Sequence, residues 1–199
     1  MSQKIDEILE KMKHLENELR QELAVSQKEL SYTIEKHRVY FEDEIIAKHK
    51  QEVENIFKYL IRTPPRHLLS APFIYALIVP GMLLDLFVTT YQWTCFPLYK
   101  IEKVKRSDYI TIDRQYLNYL NWIEKLNCVY CGYYNGLMAY VSEIAARSEQ
   151  YWCPIKHANQ TLTLHSRYKN FLDYGDAEGY KTKRFSLREE LGKEEKKAL

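Results

Sequence analysis

Glycine and proline are scarce in this sequence. The 199-residue chain holds six of each, and residues 2–61 contain neither. Such a composition excludes long low-complexity linkers and argues against a β-protein, which needs many tight turns. Because good helix formers fill most of the remaining chain, the sequence predicts an all-α fold.

A large excess of charge of one sign is also lacking. The formal net charge is +2 although 28% of the residues are charged, and so small an excess argues against a nucleic-acid-binding protein. The N-terminus MSQKIDEILEKMK is polar, so we expect no cleavable signal peptide. Without such a signal, the four cysteines indicate thiols or metal ligands rather than a disulfide framework.

Residues 1–67 are predicted to form a long amphipathic, coiled-coil-like helix. Apolar residues recur there every eleven positions, in one row of Met12, Leu23, Ile34, Ile45 and Ile56 and another of Ile8, Leu19, Leu30 and Phe41. Eleven residues in three turns is about 3.67 residues per turn, close to the natural helix period. A continuous helix over residues 2–61 would be about 90 Å long. It either packs on the rest of the chain or self-associates, and its length favours a homo-oligomer formed through residues 1–60.

Residues 68–99 are almost free of charge, with Asp85 as the only charged residue. A helix needs about 20 apolar residues to cross a bilayer, so we expect the lipid bilayer to be a partner. Pro80-Gly81 divides this run. Basic residues flank it at both ends, namely Lys58, Arg62, Arg66, Lys100, Lys103, Lys105 and Arg106. Because positive residues prefer the cytoplasmic side, the flanks favour a membrane-embedded helical hairpin, while one kinked span fits the hydropathy equally well.

Residues 100–158 are predicted to form a small helical Cys/His domain. Asp113 is expected to cap a first helix, Asn135-Gly136 to form a turn, and a second helix to end near Cys153. In such a helical hairpin the two cysteine-containing ends lie far apart. The two groups meet only if the second helix breaks or if a neighbouring protomer supplies one of them.

Three of the four cysteines and one histidine fall in two short motifs. One motif contains Cys128 and Cys131, and the other contains Cys153 and His157. Zinc and iron accept tetrahedral sets of thiolates and imidazoles, commonly delivered as two short-spaced pairs. We therefore expect a Cys3His metal site, with zinc preferred to iron. A thiol–disulfide couple of Cys128 and Cys131, or inert buried thiols, are the alternatives.

The remaining candidates carry weaker signals. Possible acid–base groups are Glu124, Glu143, Glu149 and His165. Each is expected to be a solvated surface residue. Cys95 is expected to be structural, with replacement of one metal ligand as its alternative. Asp85 is expected to be either functional or a neutral capping acid. Residues 159–199 are predicted to form a charged tail, in which Ser186 and Glu189 open a short terminal helix through a capping box.

The block from Cys95 to Ala158 resembles a family of uncharacterised bacterial membrane-associated proteins. The shared motifs are CxYCGYxNG and YWCPIKHA, which stand here as CVYCGYYNG and YWCPIKHA. The resemblance implies a bacterial inner-membrane location and a common Cys/His block, and it brings no activity with it. The predicted N-terminal helix lies outside the block.

Two functions are compatible with these features. The first is a membrane-attached metal-binding scaffold or interaction protein, with an oligomerising helix and a metal-site domain that faces the cytoplasm. The alternative is a membrane-bound metalloenzyme or thiol oxidoreductase that acts on a hydrophobic substrate. A closed Cys3His set favours the scaffold, whereas an open coordination position favours the enzyme.

Overall fold

Helices dominate the structure, a computed structural model that describes residues 3–29, 32–35, 38–159 and 164–193. The elements are α1 (Gln3–Glu29), β1 (Tyr32–Glu35), β2 (Arg38–Phe41), α2 (Asp43–Gln51), α3 (Ile56–Arg62), α4 (Pro65–Ala76), α5 (Ile78–Tyr99), α6 (Trp122–Trp152) and α7 (Ala177–Lys193). The strands of the described residues form a single short hairpin. The expected all-α fold is confirmed.

The chain divides into two compact units. The first comprises residues 1–62 and 113–127, and the second comprises residues 63–112 and 128–199. The first unit contains the N-terminal helices and the hairpin, whereas the second contains the apolar helices α4 and α5 and both Cys/His motifs.

In the first unit, the predicted continuous helix over residues 2–61 is wrong. α1 spans Gln3–Glu29, and residues 32–35 and 38–41 form an antiparallel hairpin in which Tyr32 pairs with Phe41 and Ile34 with Val39. β-branched and aromatic residues are typical of strands, and the sequences YTI and VYF concentrate them in the two strands. Local β propensity therefore overrides the eleven-residue apolar period. Leu30, one member of that period, lies outside the described residues.

α1 nevertheless keeps an exposed apolar row. Its members are Ile8, Met12, Leu15, Leu19 and Leu23, which are 50% to 63% exposed. Their spacing of three and four residues is the pattern of a coiled-coil seam. Self-association through this part of the chain stays a prediction.

In the second unit, the chain does not reverse at Pro80-Gly81. Only Leu77 separates α4 from α5, and its backbone is right-handed helical with φ −63° and ψ −17°. Pro80 has no N–H to donate to the Ala76 carbonyl, which a continuous helix requires. The N–H of Leu77 bonds the Ile74 carbonyl at 3.2 Å instead. The hairpin alternative is therefore wrong, and α4 and α5 form one helix interrupted at Leu77.

The core of the second unit lies where α5, α6 and the connecting segment (residues 100–112) meet. Its buried members are Phe96, Ile101, Val104, Leu137, Tyr140 and Ile144. α5 and α6 run parallel, because successive positions of one contact successive positions of the other. The contacts join Gly81 to Tyr134, Gln92 to Tyr140, and Tyr99 to Tyr151. The connecting segment therefore has to return along both helices.

The predicted start of the first Cys/His helix is wrong. Asp113 precedes a short 3-10 turn, and α6 begins at Trp122. The Asn121 side chain accepts hydrogen bonds from the N–H groups of Ile123 and Glu124, at 3.0 and 3.1 Å, while the Glu124 carboxylate accepts the Asn121 N–H at 2.9 Å. This reciprocal pair is a capping box, and it stops α6 from extending toward Asp113.

The predicted turn at Asn135-Gly136 is also wrong, because both residues lie inside α6. A Cβ atom at Gly136 would lie 2.6 Å from the Tyr109 carbonyl oxygen and 2.8 Å from the Ile110 Cα. Gly136 therefore lets the connecting segment pass in direct contact with α6. The side chain of Asn135 bonds the carbonyl of Cys131, one turn earlier in the same helix, at 2.9 Å.

The terminal helix begins earlier than predicted. α7 starts at Ala177, where the Asp176 carboxylate accepts the N–H of Gly179 at 2.8 Å. Ser186 lies within the helix and donates to the Lys183 carbonyl. Asp176 is thus the N-cap, and the capping box of Ser186 and Glu189 is not formed. Residues 160–163 and 194–199 of the predicted tail lie outside the described residues.

Replacing Gly136 with alanine distinguishes a packing role from a turn. In a helix interior a Gly→Ala change normally stabilises by about 1 kcal/mol. We expect Gly136→Ala to destabilise by about 1–3 kcal/mol, because the new methyl group meets backbone atoms of the connecting segment. Urea unfolding measures the change. Asn135→Ala is the control, with a smaller expected loss; a Gly136→Ala protein at least as stable as wild type contradicts the packing role.

Candidate functional site

α6 separates the two groups of predicted metal ligands. Cys128 and Cys131 lie within the helix, and Cys153 follows its last residue. The distance along the helix from Cys131 to Cys153 is about 33 Å, whereas a zinc–sulfur bond is about 2.3 Å. The four residues therefore do not fit around one metal ion within one chain. Among the described residues no group of three or more His, Cys, Asp or Glu is arranged to hold a metal.

Each ligand group is nevertheless accessible. All four cysteines are free, Cys128 is half-buried, and Cys131 and Cys153 are exposed. His157 is exposed as well, and its ring stacks on Tyr168 at 6.4 Å between centroids. Metal binding stays a prediction, and in this geometry it requires ligands from more than one chain.

Backbone pairing fixes the second Cys/His motif against the chain that follows. The N–H of Leu172 donates to the Pro154 carbonyl, and the N–H of Lys156 donates to the Leu172 carbonyl, both at 2.8 Å. Tyr168 accepts the N–H of His157 at 2.9 Å through its hydroxyl group. These hydrogen bonds therefore fix the position of the motif against residues 168 and 172.

A row of polar side chains follows the protein-facing side of α5. Its first member, Asp85, has a side chain only 13% exposed and is paired with the Arg106 guanidinium. The same carboxylate accepts hydrogen bonds from the hydroxyl groups of Tyr133, at 2.9 Å, and Thr89, at 3.2 Å. Burial and the adjacent Asp85 raise the pKa of Tyr133, so this phenol remains protonated and donates at neutral pH.

Gln92 continues this row one helix turn beyond Thr89, where it is almost fully buried. Its amide nitrogen donates to the Tyr140 hydroxyl at 2.7 Å and to the Val104 carbonyl at 3.3 Å. Its carbonyl oxygen accepts the Val104 N–H at 2.6 Å. Every polar atom of the side chain is therefore used in joining α5, α6 and the connecting segment.

Sequence reasoning missed Arg106 and Tyr133 as partners of Asp85. A carboxylate in an otherwise uncharged run is costly without a partner, and this cost indicated that Asp85 has one. The sequence does not indicate which of the many basic residues and tyrosines is that partner. The return of the connecting segment along α5 is what selects Arg106.

Glu143 is the centre of a second ion cluster, and the expectation that it is a solvated surface residue is wrong. Its side chain is 10% exposed and accepts hydrogen bonds from Arg147 at 2.9 Å, Arg167 at 3.2 Å and Ser166 at 2.8 Å. Burial alone would raise the pKa of Glu143, but these hydrogen bonds and the two guanidinium charges outweigh burial and lower the pKa. The cluster ties α6 to residues 166 and 167.

Away from the contacts of its polar row, α5 exposes what we term the apolar stripe. Its members are Val79, Met82, Leu83, Leu86, Phe87, Trp93 and Leu98. The helix from Pro65 to Tyr99 is long and apolar enough to cross a membrane, and only 6% of its most apolar part is buried. A core helix of a soluble protein is mostly buried, so the low figure sets this helix apart from one.

Comparisons with known proteins assign no family. No protein-family model matches the chain, and neither the curated proteins nor the solved structures searched contain a match. The function therefore has to be argued from the geometry of these surfaces and clusters.

Glu143 predicts a loss of stability in acid. Because its pKa is lower in the folded protein, its contribution is present above the pKa of an unfolded glutamate, about 4.3, and is lost as the pH falls through the folded value. We expect the free energy of unfolding to decrease below about pH 4.3, and to decrease less in Glu143→Gln. Urea unfolding between pH 7 and pH 3 measures both slopes.

The control for this titration is Glu178→Gln, which removes an exposed glutamate from the first turn of α7. We expect it to keep the wild-type dependence on pH. Equal slopes for Glu143→Gln and wild type would contradict the role of this cluster.

Proposed function

We propose that this protein is a membrane-attached helical scaffold or interaction protein, bound to the bilayer through α4 and α5. The apolar stripe is the observation that carries the proposal. Its seven side chains are between 51% and 77% exposed, while the polar side chains Asp85 and Gln92 turn inward and are paired. A water-soluble protein has the opposite arrangement, with apolar side chains inside and polar ones outside. A protein surface in contact with lipid is expected to be apolar, with its polar groups paired inside.

The energetic cost of leaving the stripe in water is large. Fully burying a Val, Leu, Phe or Met side chain is worth about 1.5–3 kcal/mol. Soluble monomers rarely expose contiguous apolar patches beyond a few hundred Å². Leu68, Leu69 and Phe73 of α4 are also 49% to 79% exposed, so the apolar surface extends past α5. Contact with lipid removes this surface from water.

The flanking residues support a cytoplasmic surface of a bacterial inner membrane. Lys100 and Lys103 follow α5, and Arg66 lies in the first turn of α4. Positive residues concentrate on the cytoplasmic side, and tryptophan is enriched at the membrane–water boundary. Lys103 places its ammonium group 3.7 Å from the centroid of the Trp93 ring, a cation–π contact that suits this boundary.

Metal binding enters this proposal only as a link between chains. Cys131 and Cys153 are both exposed, and each stands beside a second potential ligand, Cys128 or His157. A tetrahedral zinc site built from pairs on two chains satisfies the coordination that one chain cannot supply. The exposed row of α1 supports the same self-associating scaffold.

A charge on the apolar stripe tests membrane attachment. We expect Leu83→Asp to lower the fraction of protein that sediments with lipid vesicles at least tenfold, because a carboxylate in the hydrocarbon costs a few kcal/mol. Ser142→Asp adds the same charge at an exposed position on α6 and is expected to leave binding unchanged. Full sedimentation of Leu83→Asp, or none of wild type, would refute the attachment.

Metal analysis of anaerobically purified protein tests the link between chains. We expect stoichiometric zinc in the wild type, its loss in Cys131→Ser, and dissociation of the oligomer on chelation, measured by light scattering in detergent. Cys95→Ser, which changes the half-buried cysteine of α5, is expected to retain the metal. Wild-type protein without stoichiometric metal contradicts metal binding, and a metal-loaded monomer contradicts the shared site.

A further inference from the structure

We infer that the helix formed by α4 and α5 lies in the plane of the membrane, with the apolar stripe in one leaflet, and does not cross the bilayer. This inference rests on the proposed membrane attachment. The inference specifies which face of the helix contacts lipid and which face contacts the rest of the protein and water. Three observations carry it.

The first observation is the charged chain behind α5. Arg106 pairs with Asp85, the Val104 backbone bonds Gln92, and Lys103 lies over Trp93. The connecting segment thus runs along the polar row of α5 and reaches the edge of the apolar stripe at Trp93, with Lys103, Lys105, Arg106 and Asp108 all exposed. In a spanning helix these charges would accompany its middle into the hydrocarbon, at about 2.5–3.5 kcal/mol for each Lys, Arg or Asp at the centre.

One-sided insertion avoids that cost. With the stripe facing lipid, the exposed charges of the connecting segment remain on the water side of α5. A helix with an apolar face toward the acyl chains and a charged opposite side is the established form of an interfacial helix. Here the charged side is supplied by the neighbouring segment rather than by α5 itself.

The second observation is length. The helix from Pro65 to Tyr99 has 35 residues, which is about 52 Å at about 1.5 Å per residue. The hydrocarbon core is about 30 Å thick, and spanning helices tilt by about 20° on average. A span would have to tilt by more than about 50° to keep the whole apolar length in lipid. In the plane of the membrane no such mismatch arises.

The third observation is the positive charge at both ends of the helix. Arg66 begins the helix, and Lys100 with Lys103 follows it, while the chain between them does not reverse. A straight span would separate these basic ends across the bilayer, against the preference of positive residues for one side. A helix in the plane keeps both ends at the same surface.

Tryptophan depth measurements test this placement in the full chain. Val79, Leu86 and native Trp93 project from the same side of α5, because seven residues advance the helix by nearly two turns. Each position carries the single tryptophan in turn, as Val79→Trp, Leu86→Trp or native Trp93, with all other tryptophans changed to phenylalanine. Vesicles with bromine at defined acyl-chain depths then report the position of each indole.

The expected result is strong quenching with the same depth, within a few Å, at all three positions. For a span, the depths at positions 79 and 93 would differ by most of the about 21 Å of helix between them, and that gradient would overturn the in-plane placement. Ser142→Trp, on the exposed side of α6, is the control and is expected to remain unquenched.

The outcomes separate the two proposals. A depth gradient, or opposite-side labelling of cysteines introduced at the two chain termini, refutes the in-plane helix and leaves membrane attachment intact. Absence of quenching at all three stripe positions refutes attachment itself, in agreement with a failure of wild type to sediment with vesicles. Equal depths with both termini on one side support both.

Discussion

The pairing of Asp85 with Arg106 and Tyr133 is the interaction on which the second unit depends. One carboxylate receives donors from the connecting segment, from α6 and, through Thr89, from α5 itself. The ion pair holds the connecting segment against the polar side of α5. Gln92, two helix turns after Asp85, holds the same segment through Val104 and contacts α6 through Tyr140. The apolar residues of α5 that point away from these contacts are consequently left exposed, and they form the surface on which the proposed membrane attachment rests.

Close backbone contact along α6 follows from the same return. Residues 109 and 110 pass so near the helix that only glycine fits at position 136. α6 therefore stays continuous where an Asn-Gly pair would otherwise indicate a turn. That continuity carries Cys153 and His157 away from Cys128 and Cys131, so these four residues do not meet around one metal ion within one chain.

Local sequence signals predicted those parts of the fold that depend on the helix propensity and hydropathy of one segment. The scarcity of glycine and proline predicted helices, and the uncharged run predicted an unburied apolar helix. The same signals failed where a second segment intervenes. Residues 32–35 pair with residues 38–41 rather than continue α1, and Glu143 is buried because residues 166 and 167 fold over it. Neither partner is visible in the periodicity of the segment concerned.

The sequence by itself determined the helical class, the apolar segment and the two short Cys/His motifs, since composition and spacing are local properties of the chain. Only the tertiary structure decided what these parts do together. It showed that Pro80 interrupts the helix without reversing it, that Arg106 is the partner of Asp85, and that α6 holds the two motifs apart. The physical reason is that each of these results depends on a contact between residues distant in sequence, whose energy no local pattern records.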